Sequence, residues 1–252
     1  MRTIIAVIPC RYASTRFPGK PLAKICGVSM IERIVRRITD TPCISDVIVA
    51  TDDERIKNAV SSFGGKVMDT SLHHTCGTER VAEVARVLKL NESDIVVNIQ
   101  GDQPLIHPES IEKVIEPLLE DPNLGMSTLA FPIVDEREIT DPKDCKVVFD
   151  QNGYALYFSR ASIPWQRDPE EGDVTYYKHL GIYAYTHSFL QKFITWPMGR
   201  LEQIEKLEQL RTLEYGYRIG VRVFEHDSLE VDLPVDIERI EKKINEKQSR
   251  II

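Results

Sequence analysis

Three short apolar runs limit what this chain can fold into. Thr3–Ile8 (TIIAVI), Asp46–Thr51 (DVIVAT) and Asp94–Gln100 (DIVVNIQ) are rich in β-branched residues and lack polar alternation. Each reads as a strand covered on both faces, as in a parallel sheet. Helical patterns separate them. Val28–Ile38 sets Met30, Ile31, Ile34, Val35 and Ile38 at helical spacing, with Glu32, Arg33, Arg36 and Arg37 on the other face. Arg55–Phe63 is helical and is stopped by Gly64 and Gly65. Thr78 is placed to cap the helix ERVAEVARVLK. His107–Glu120 forms a further helix with Pro108 near its first turn and Pro117 expected to end or kink it. This alternation predicts an α/β fold, an open and mostly parallel sheet flanked by helices.

The second half has a different pattern. Gly125–Ile133, Cys145–Asp150, Tyr154–Ser159 and His179–Tyr185 are strand-like, with few helical patterns between them, and Gln151-Asn152-Gly153 is a hairpin-turn signal. The expectation is an antiparallel α+β second lobe. A long helix is predicted over Leu201–Tyr215, closed by Gly216. A strand at Gly220–Phe224 and a charged helix at Asp236–Lys247 follow. The chain of 252 residues is therefore expected to form a single domain, with a core lobe of about 1–125 and 200–252 and a second lobe of about 126–199.

Charge and cysteine usage exclude several functions. The net charge of −7 gives no overall attraction for nucleic acid or an anionic membrane, so a bound anion needs a local cluster of cations. The five cysteines, Cys10, Cys26, Cys43, Cys76 and Cys145, are odd in number and show no CxxC spacing. That argues against a disulfide framework or a zinc site and for a reducing cytoplasm. The apolar run at Ile4–Ile8 is too short for a signal peptide, and no segment approaches the roughly 20 apolar residues of a membrane span.

In an open parallel sheet ligands bind at the carboxyl ends of the strands. Three strand-end segments carry unusual chemistry. CRYASTRFPGKPL, after the first run, gathers Arg11, Arg16 and Lys20 with Ser14, Thr15 and Gly19. Such a loop can wrap a polyphosphate with backbone N–H groups and a mobile ammonium, although it is not the Walker pattern. A solvated basic loop is the alternative. QGDQP (100–104) offers Asp102 as a carboxylate for a divalent cation beside phosphates, with Asp232 of EVDLPVDIER as its partner. A simple helix cap is the alternative for Asp102. HHTCGTERVAEV (73–84) makes a small-residue turn at Thr75, Cys76, Gly77 and Thr78 that opens a helix, whose N–H groups can read a base edge or a carboxylate. His73 and His74 are read as solvated side chains.

The same segments carry a resemblance. IPCRYASTRFPGKPL resembles the signature loop of the CMP-Kdo synthetases, the 3-deoxy-manno-octulosonate cytidylyltransferases. Further matching motifs run in order along the chain: ATDDERI, CGTERVAEV, VNIQGDQPLI, YALYFSRASIPW, KHLGIYAY, LEQLRTLEYG and VDLPVDIE. The resemblance implies a Rossmann-like nucleotidyltransferase fold whose second lobe binds sugar and dimerises. It implies transfer of CMP from CTP to a Kdo-type sugar acid with release of pyrophosphate, in a cytoplasmic, Mg²⁺-dependent homodimer serving lipopolysaccharide assembly. By motif match Arg11, Lys20 and Asp102 are catalytic and Ser14 assists at the triphosphate. Pro9, Cys10, Thr75, Cys76 and Gly77 border the cytosine, and Gln100 reaches the ribose. Asp102 and Asp232 hold the metal, and Arg80, Arg160, His179, Tyr183, Glu208 and Gln209 face the sugar acid. The chain departs from the common pattern at Gln103 (GDQP for GDEP), at Cys76 (CGT for SGT) and at Thr186, where many members have arginine. These features also resemble the branch that activates 8-amino-3,8-dideoxy-manno-octulosonate (8-amino-Kdo). CMP transfer to another sugar acid, such as sialic acid, and non-catalytic nucleotide binding are the alternatives.

Overall fold

In a computed structural model of the chain, residues 2–13, 16–168, 172 and 174–249 are described. The polypeptide divides into two compact units, residues 1–111 with 228–252, and residues 112–227. The first three apolar runs become β1 (Ile4–Cys10), β4 (Asp46–Thr51) and β6 (Ile95–Asn98). β1 runs parallel to both β4 and β6. Ala6–Ile8, Val49–Ala50 and Ile95–Val97 have no exposed surface, the two-sided burial that their uninterrupted apolar sequence requires. Between β1 and β4 come a two-stranded hairpin, β2 (Lys24–Ile25) and β3 (Val28–Ser29), and then α1 (Met30–Ile38). Ser29 caps α1, its hydroxyl accepting from the Glu32 N–H, so the chain stays extended through Val28 before the helix begins.

α2 (Glu54–Ser62) follows β4 and is capped by Asp53. A fourth parallel strand, β5 (Lys66–Asp69), adds to β4 at the sheet edge. α3 (Gly77–Val87) starts two residues earlier than a cap at Thr78 allows: Cys76 is the N-cap and Thr78 is buried in the first turn. The cap moves because Glu79, in that first turn, supplies the acceptor and takes the Thr75 N–H at 2.6 Å. α4 (Glu109–Glu120) carries Pro117 inside it and runs on for three more residues. Proline removes one N–H, but its carbonyl still accepts from the Asp121 N–H at 3.0 Å.

In the second unit β7 (Met126–Pro132) is followed by α5 (Arg137–Thr140), β8 (Lys146–Phe149), β9 (Ala155–Ser159), β10 (Tyr177–Thr186) and α6 (His187–Phe193). β8 and β9 form the antiparallel hairpin expected of the Gln151–Gly153 turn, and β10 runs antiparallel to β7 and β8. The predicted helix over Leu201–Tyr215 is two helices, α7 (Arg200–Glu205) and α8 (Leu210–Glu214). Lys206 takes a left-handed conformation, φ 56°, and breaks the run. The fold-back is held from inside. Arg211 donates to both carboxylate oxygens of Glu202, at 2.6 and 2.7 Å, with both side chains buried. Glu214 accepts the N–H groups of Leu201 and Glu202 at the start of α7.

β11 (Gly220–Val223) runs parallel to β7, which draws 200–227 into the second unit rather than the core lobe expected for it. The final helix, α9 (Pro234–Ser249), returns to the first unit, where Glu241 accepts the Cys26 N–H at 2.6 Å. Among the described residues no helix is long and apolar enough to cross a membrane.

Candidate active site

β1 and β6 are parallel and in register from Ile4↔Ile95 to Val7↔Asn98, and the Ile99 N–H extends the pairing to the Val7 carbonyl. Their carboxyl ends are therefore neighbours, and the loops leaving them emerge together. Gly101 makes this possible. A Cβ there would lie 2.9 Å from Cys10 Sγ and 3.3 Å from the Pro9 carbonyl oxygen, a close approach that only glycine permits. The result is a cavity of about 200 Å³ lined by Pro9, Cys10, Arg11, Lys20, Gln100, Gly101 and Asp102, among others. The basic loop folds back over Tyr12, whose carbonyl accepts the Gly19 N–H at 2.9 Å and whose ring lies under the Arg55 guanidinium, 3.2 Å from its centroid.

The charged groups converge on one point. Lys20 Nζ donates to Asp102 Oδ2 at 2.7 Å and lies 3.8 Å from Asp232 Oδ1. Arg16 donates to the other oxygen of Asp232 at 3.1 Å. Asp232 is brought there by the segment before α9: the Val231 N–H donates to the Asp102 carbonyl, and Asp236 accepts the N–H groups of Asp232 and Leu233. Two aspartates more than 100 positions apart thus share one ammonium. Arg11 adds a cation whose Nη2 is buried with no partner among the described residues. An unsatisfied buried guanidinium nitrogen at the mouth of two strands is suited to an anion. Cys10 is buried; that burial, reinforced by Asp102, raises its thiol to about 12 against Lys20 and Arg80, so it stays protonated at neutral pH. Ser14, expected to assist at the loop, lies outside the described residues.

Thr75, Cys76 and Gly77 are not among the residues lining this cavity; the turn reaches it through Pro9. A Cβ on Gly77 would lie 3.2 Å from Pro9 Cγ, so the start of α3 lies against the end of β1. Arg80 is not part of this cavity. Its side chain is buried and donates to Asp52 Oδ2 at 2.6 Å, to Thr70 Oγ1 at 2.7 Å and to the Ser71 carbonyl at 3.3 Å. These bonds tie the end of β4 to α3, while Arg80 Nε is buried with no partner among the described residues.

The other sugar-side residues lie in the second unit. Tyr183 Oη donates to Gln209 Oε1 at 3.0 Å, and Gln209 Nε2 points at Cys145 Sγ, 3.9 Å away. His179 packs edge-on to Phe158 and beside Tyr183, and its Nε2 is 2.8 Å from Thr128 Oγ1. Arg160 is held by the carbonyls of Glu205 and Pro142, both at 2.8 Å. Glu208 is half-buried in the turn before α8. The fold-back at Lys206 places Glu208 and Gln209 on a turn, where a continuous helix would have put them on its side.

Burial lowers the His179 pKa from 6.5 to about 3, so the ring is neutral throughout the neutral range. An unfolded chain takes up this proton near 6.5 and the folded one does not. Stability is therefore lost as pH falls from 6.5 towards 3, by up to about 1.4 kcal/mol per pH unit. Urea titrations at pH 7 and pH 5 are expected to show less of this loss in His179→Asn than in the original chain. An equal loss in both would remove the assignment.

Residues 5–220 match the cytidylyltransferase family. The chain belongs to that family. The cytidylyltransferase is 56% identical over 246 residues to 3-deoxy-manno-octulosonate cytidylyltransferase of Desulfatibacillum aliphaticivorans, covering 97% of this chain and 99% of the relative. It is 50% identical over 242 residues to 8-amino-3,8-dideoxy-manno-octulosonate cytidylyltransferase of Shewanella baltica, covering 96% and 98%. Among solved structures it matches CMP:2-keto-3-deoxy-manno-octonic acid synthetase complexed with CTP, with a TM-score of 0.91, 38% identity and coverage of 97% and 99%. The 4-diphosphocytidyl-2C-methyl-D-erythritol synthase from Anaerococcus prevotii, at 14% identity and a TM-score of 0.63, shares the fold.

The departures from the family pattern have local causes in this cytidylyltransferase. Gln103 is buried and donates to Glu230 Oε1 at 3.3 Å. A carboxylate at 103 would meet a second carboxylate there, which the amide avoids. Thr186 caps α6, accepting the Phe189 N–H at 3.3 Å. Sequence reasoning missed two groups that hold segments flanking the site. Arg55 supports the basic loop through Tyr12, and His74 bridges two carboxylates where a solvated ring was expected.

Proposed function

We propose that the chain transfers CMP from CTP to the anomeric hydroxyl of a Kdo-type sugar acid. The hydroxyl oxygen attacks the α-phosphorus, the bond to the β-phosphate oxygen breaks, pyrophosphate leaves and the hydroxyl proton is released. The observation that carries this is the meeting of Lys20, Asp102 and Asp232 in one cleft beside Arg11, whose Nη2 has no partner among the described residues. Arg11 and Lys20 would hold the triphosphate and align its α-phosphorus, which is most of what catalysis of such a transfer demands. Pro9, Cys10, Thr75, Cys76 and Gly77 would enclose the pyrimidine, and Gln100 the ribose. Arg160, His179, Tyr183, Glu208 and Gln209 would receive the sugar acid, the arginine meeting its carboxylate.

Two carboxylates facing one cation suit Mg²⁺, a hard ion held by one or two carboxylates together with phosphates. Asp102 and Asp232 would hold it, and it would supply charge neutralisation at the phosphates. Lys20, which now lies between the two aspartates, would then turn to the triphosphate. A cytoplasmic homodimer serving lipopolysaccharide assembly is the further proposal, supported by the resemblance of the motifs.

The experiment compares kcat/KM for Kdo and 8-amino-Kdo, with CTP and Mg²⁺, by pyrophosphate release. Release with at least one of the two, and none with sialic acid, is expected. No release with either Kdo-type acid would overturn the proposal.

A further inference from the structure

We propose that His74 is a positioning residue for the pyrimidine end of the nucleotide, acting as the bridge of a clamp that fixes residues 71–77. The inference rests on the proposed CTP site. Glu79 and Glu83 stand one helical turn apart on α3 and both reach back to the segment before it. Glu79 accepts the Thr75 N–H at 2.6 Å and the Thr75 hydroxyl at 3.1 Å, and Glu83 accepts the Ser71 N–H at 2.8 Å. The imidazole of His74 lies between them, with Nε2 2.6 Å from Glu83 Oε2 and Nδ1 3.6 Å from Glu79 Oε2.

Two carboxylates at this spacing repel each other, and both are mostly shielded from solvent. The ring hydrogen-bonds one of them, Glu83, and stands beside the other, filling the space between the two acceptors while both take backbone N–H groups. Burial raises the pKa of Glu79, but the Thr75 N–H, the Thr75 hydroxyl and the Cys76 N–H outweigh it and hold the group below the ordinary carboxylate range. The clamp ends at Gly77, which lies against Pro9 in the cleft. A shift of this segment would be felt at the base side, whereas Arg11 and Lys20 are set by a different loop.

The two ends of the nucleotide can be probed separately by calorimetry, with CMP for the base side and inorganic pyrophosphate for the phosphate side. In His74→Ala, CMP is expected to bind about tenfold more weakly, the size of one lost charge-assisted hydrogen bond, while pyrophosphate binds as before. KM for CTP rises by a similar factor and kcat stays within about twofold. His74→Gln, whose amide has two donor hydrogens, restores most of the CMP affinity. Glu83→Gln repeats the split and serves if His74→Ala does not fold. Unchanged CMP affinity in the variant used would overturn the proposal, as would equal losses of CMP and pyrophosphate. If the unaltered chain binds neither CTP nor CMP, the CTP site itself fails; normal binding by both the unaltered chain and His74→Ala sinks only the clamp.

Discussion

Replacing Asp102 by Asn is expected to lower kcat for CMP transfer by at least about a thousandfold, near 4 kcal/mol of transition-state stabilisation. The substitution keeps size and shape. It also keeps the backbone bond from the Val231 N–H to the Asp102 carbonyl, so the tail stays on the strand-end loop. What it removes is half of the negative charge that Lys20 now faces at 2.7 and 3.8 Å. Asp232→Asn is expected to act alike, because its backbone N–H still donates to Asp236 and only the carboxylate is lost. Steady-state kinetics with melting curves alongside would check both variants. Rates like those of the unaltered chain in either variant, with intact folding, would strike that aspartate from the reacting centre.

The largest stability effect is expected far from that centre in sequence, at Glu202. Its carboxylate, 5% exposed, meets Arg211 through two short hydrogen bonds. Glu202→Ala leaves Arg211 buried with its charge uncompensated, which costs about 3–5 kcal/mol. The Trp196 carbonyl at 3.4 Å and the Phe193 ring at 4.6 Å are also in contact with Arg211, and neither carries the full negative charge of a carboxylate. Melting is expected to drop by about 10 °C. Glu202→Leu combined with Arg211→Met should lose less than the single change, because no charge is then stranded. KM for the sugar acid should rise in Glu202→Ala, since α7 and α8 carry the turn that presents Glu208 and Gln209. A melting temperature unchanged to within about 1 °C would show that the pair contributes nothing.

The two-sided strands were readable because burial on both faces leaves an unbroken β-branched run, as in Ile4–Ile8 and Asp46–Thr51. β5 was not, because Lys66 and Asp69 at its ends are exposed and only two residues lie between them. The break at Lys206 left no trace in the pattern. The apolar spacing of Leu201, Leu207 and Leu210 continues across it, and the Glu202–Arg211 pair that drives the fold-back becomes a contact only once the chain has turned. The cleft was legible because its groups follow buried strands, and strand order alone brings those ends together. For Asp232 the extended run before it and the proline-started helix after it mark only a candidate, since nothing local shows that its segment returns to Asp102.

His74 carried a signal that went unused: two glutamates one turn apart just beyond it, which a histidine can bridge. For Arg80 a motif match does not reveal that Asp52 and Thr70 hold its Nη2 and Nη1, nor that its Nε has no partner among the described residues.

The most direct measurement follows the α-phosphorus of CTP by phosphorus NMR while the protein, Mg²⁺ and a Kdo-type acid are present. The predicted result is one new phosphodiester resonance growing in step with pyrophosphate, and neither product with Asp102→Asn. Unchanged CTP with both Kdo and 8-amino-Kdo, or orthophosphate without the phosphodiester, would contradict it.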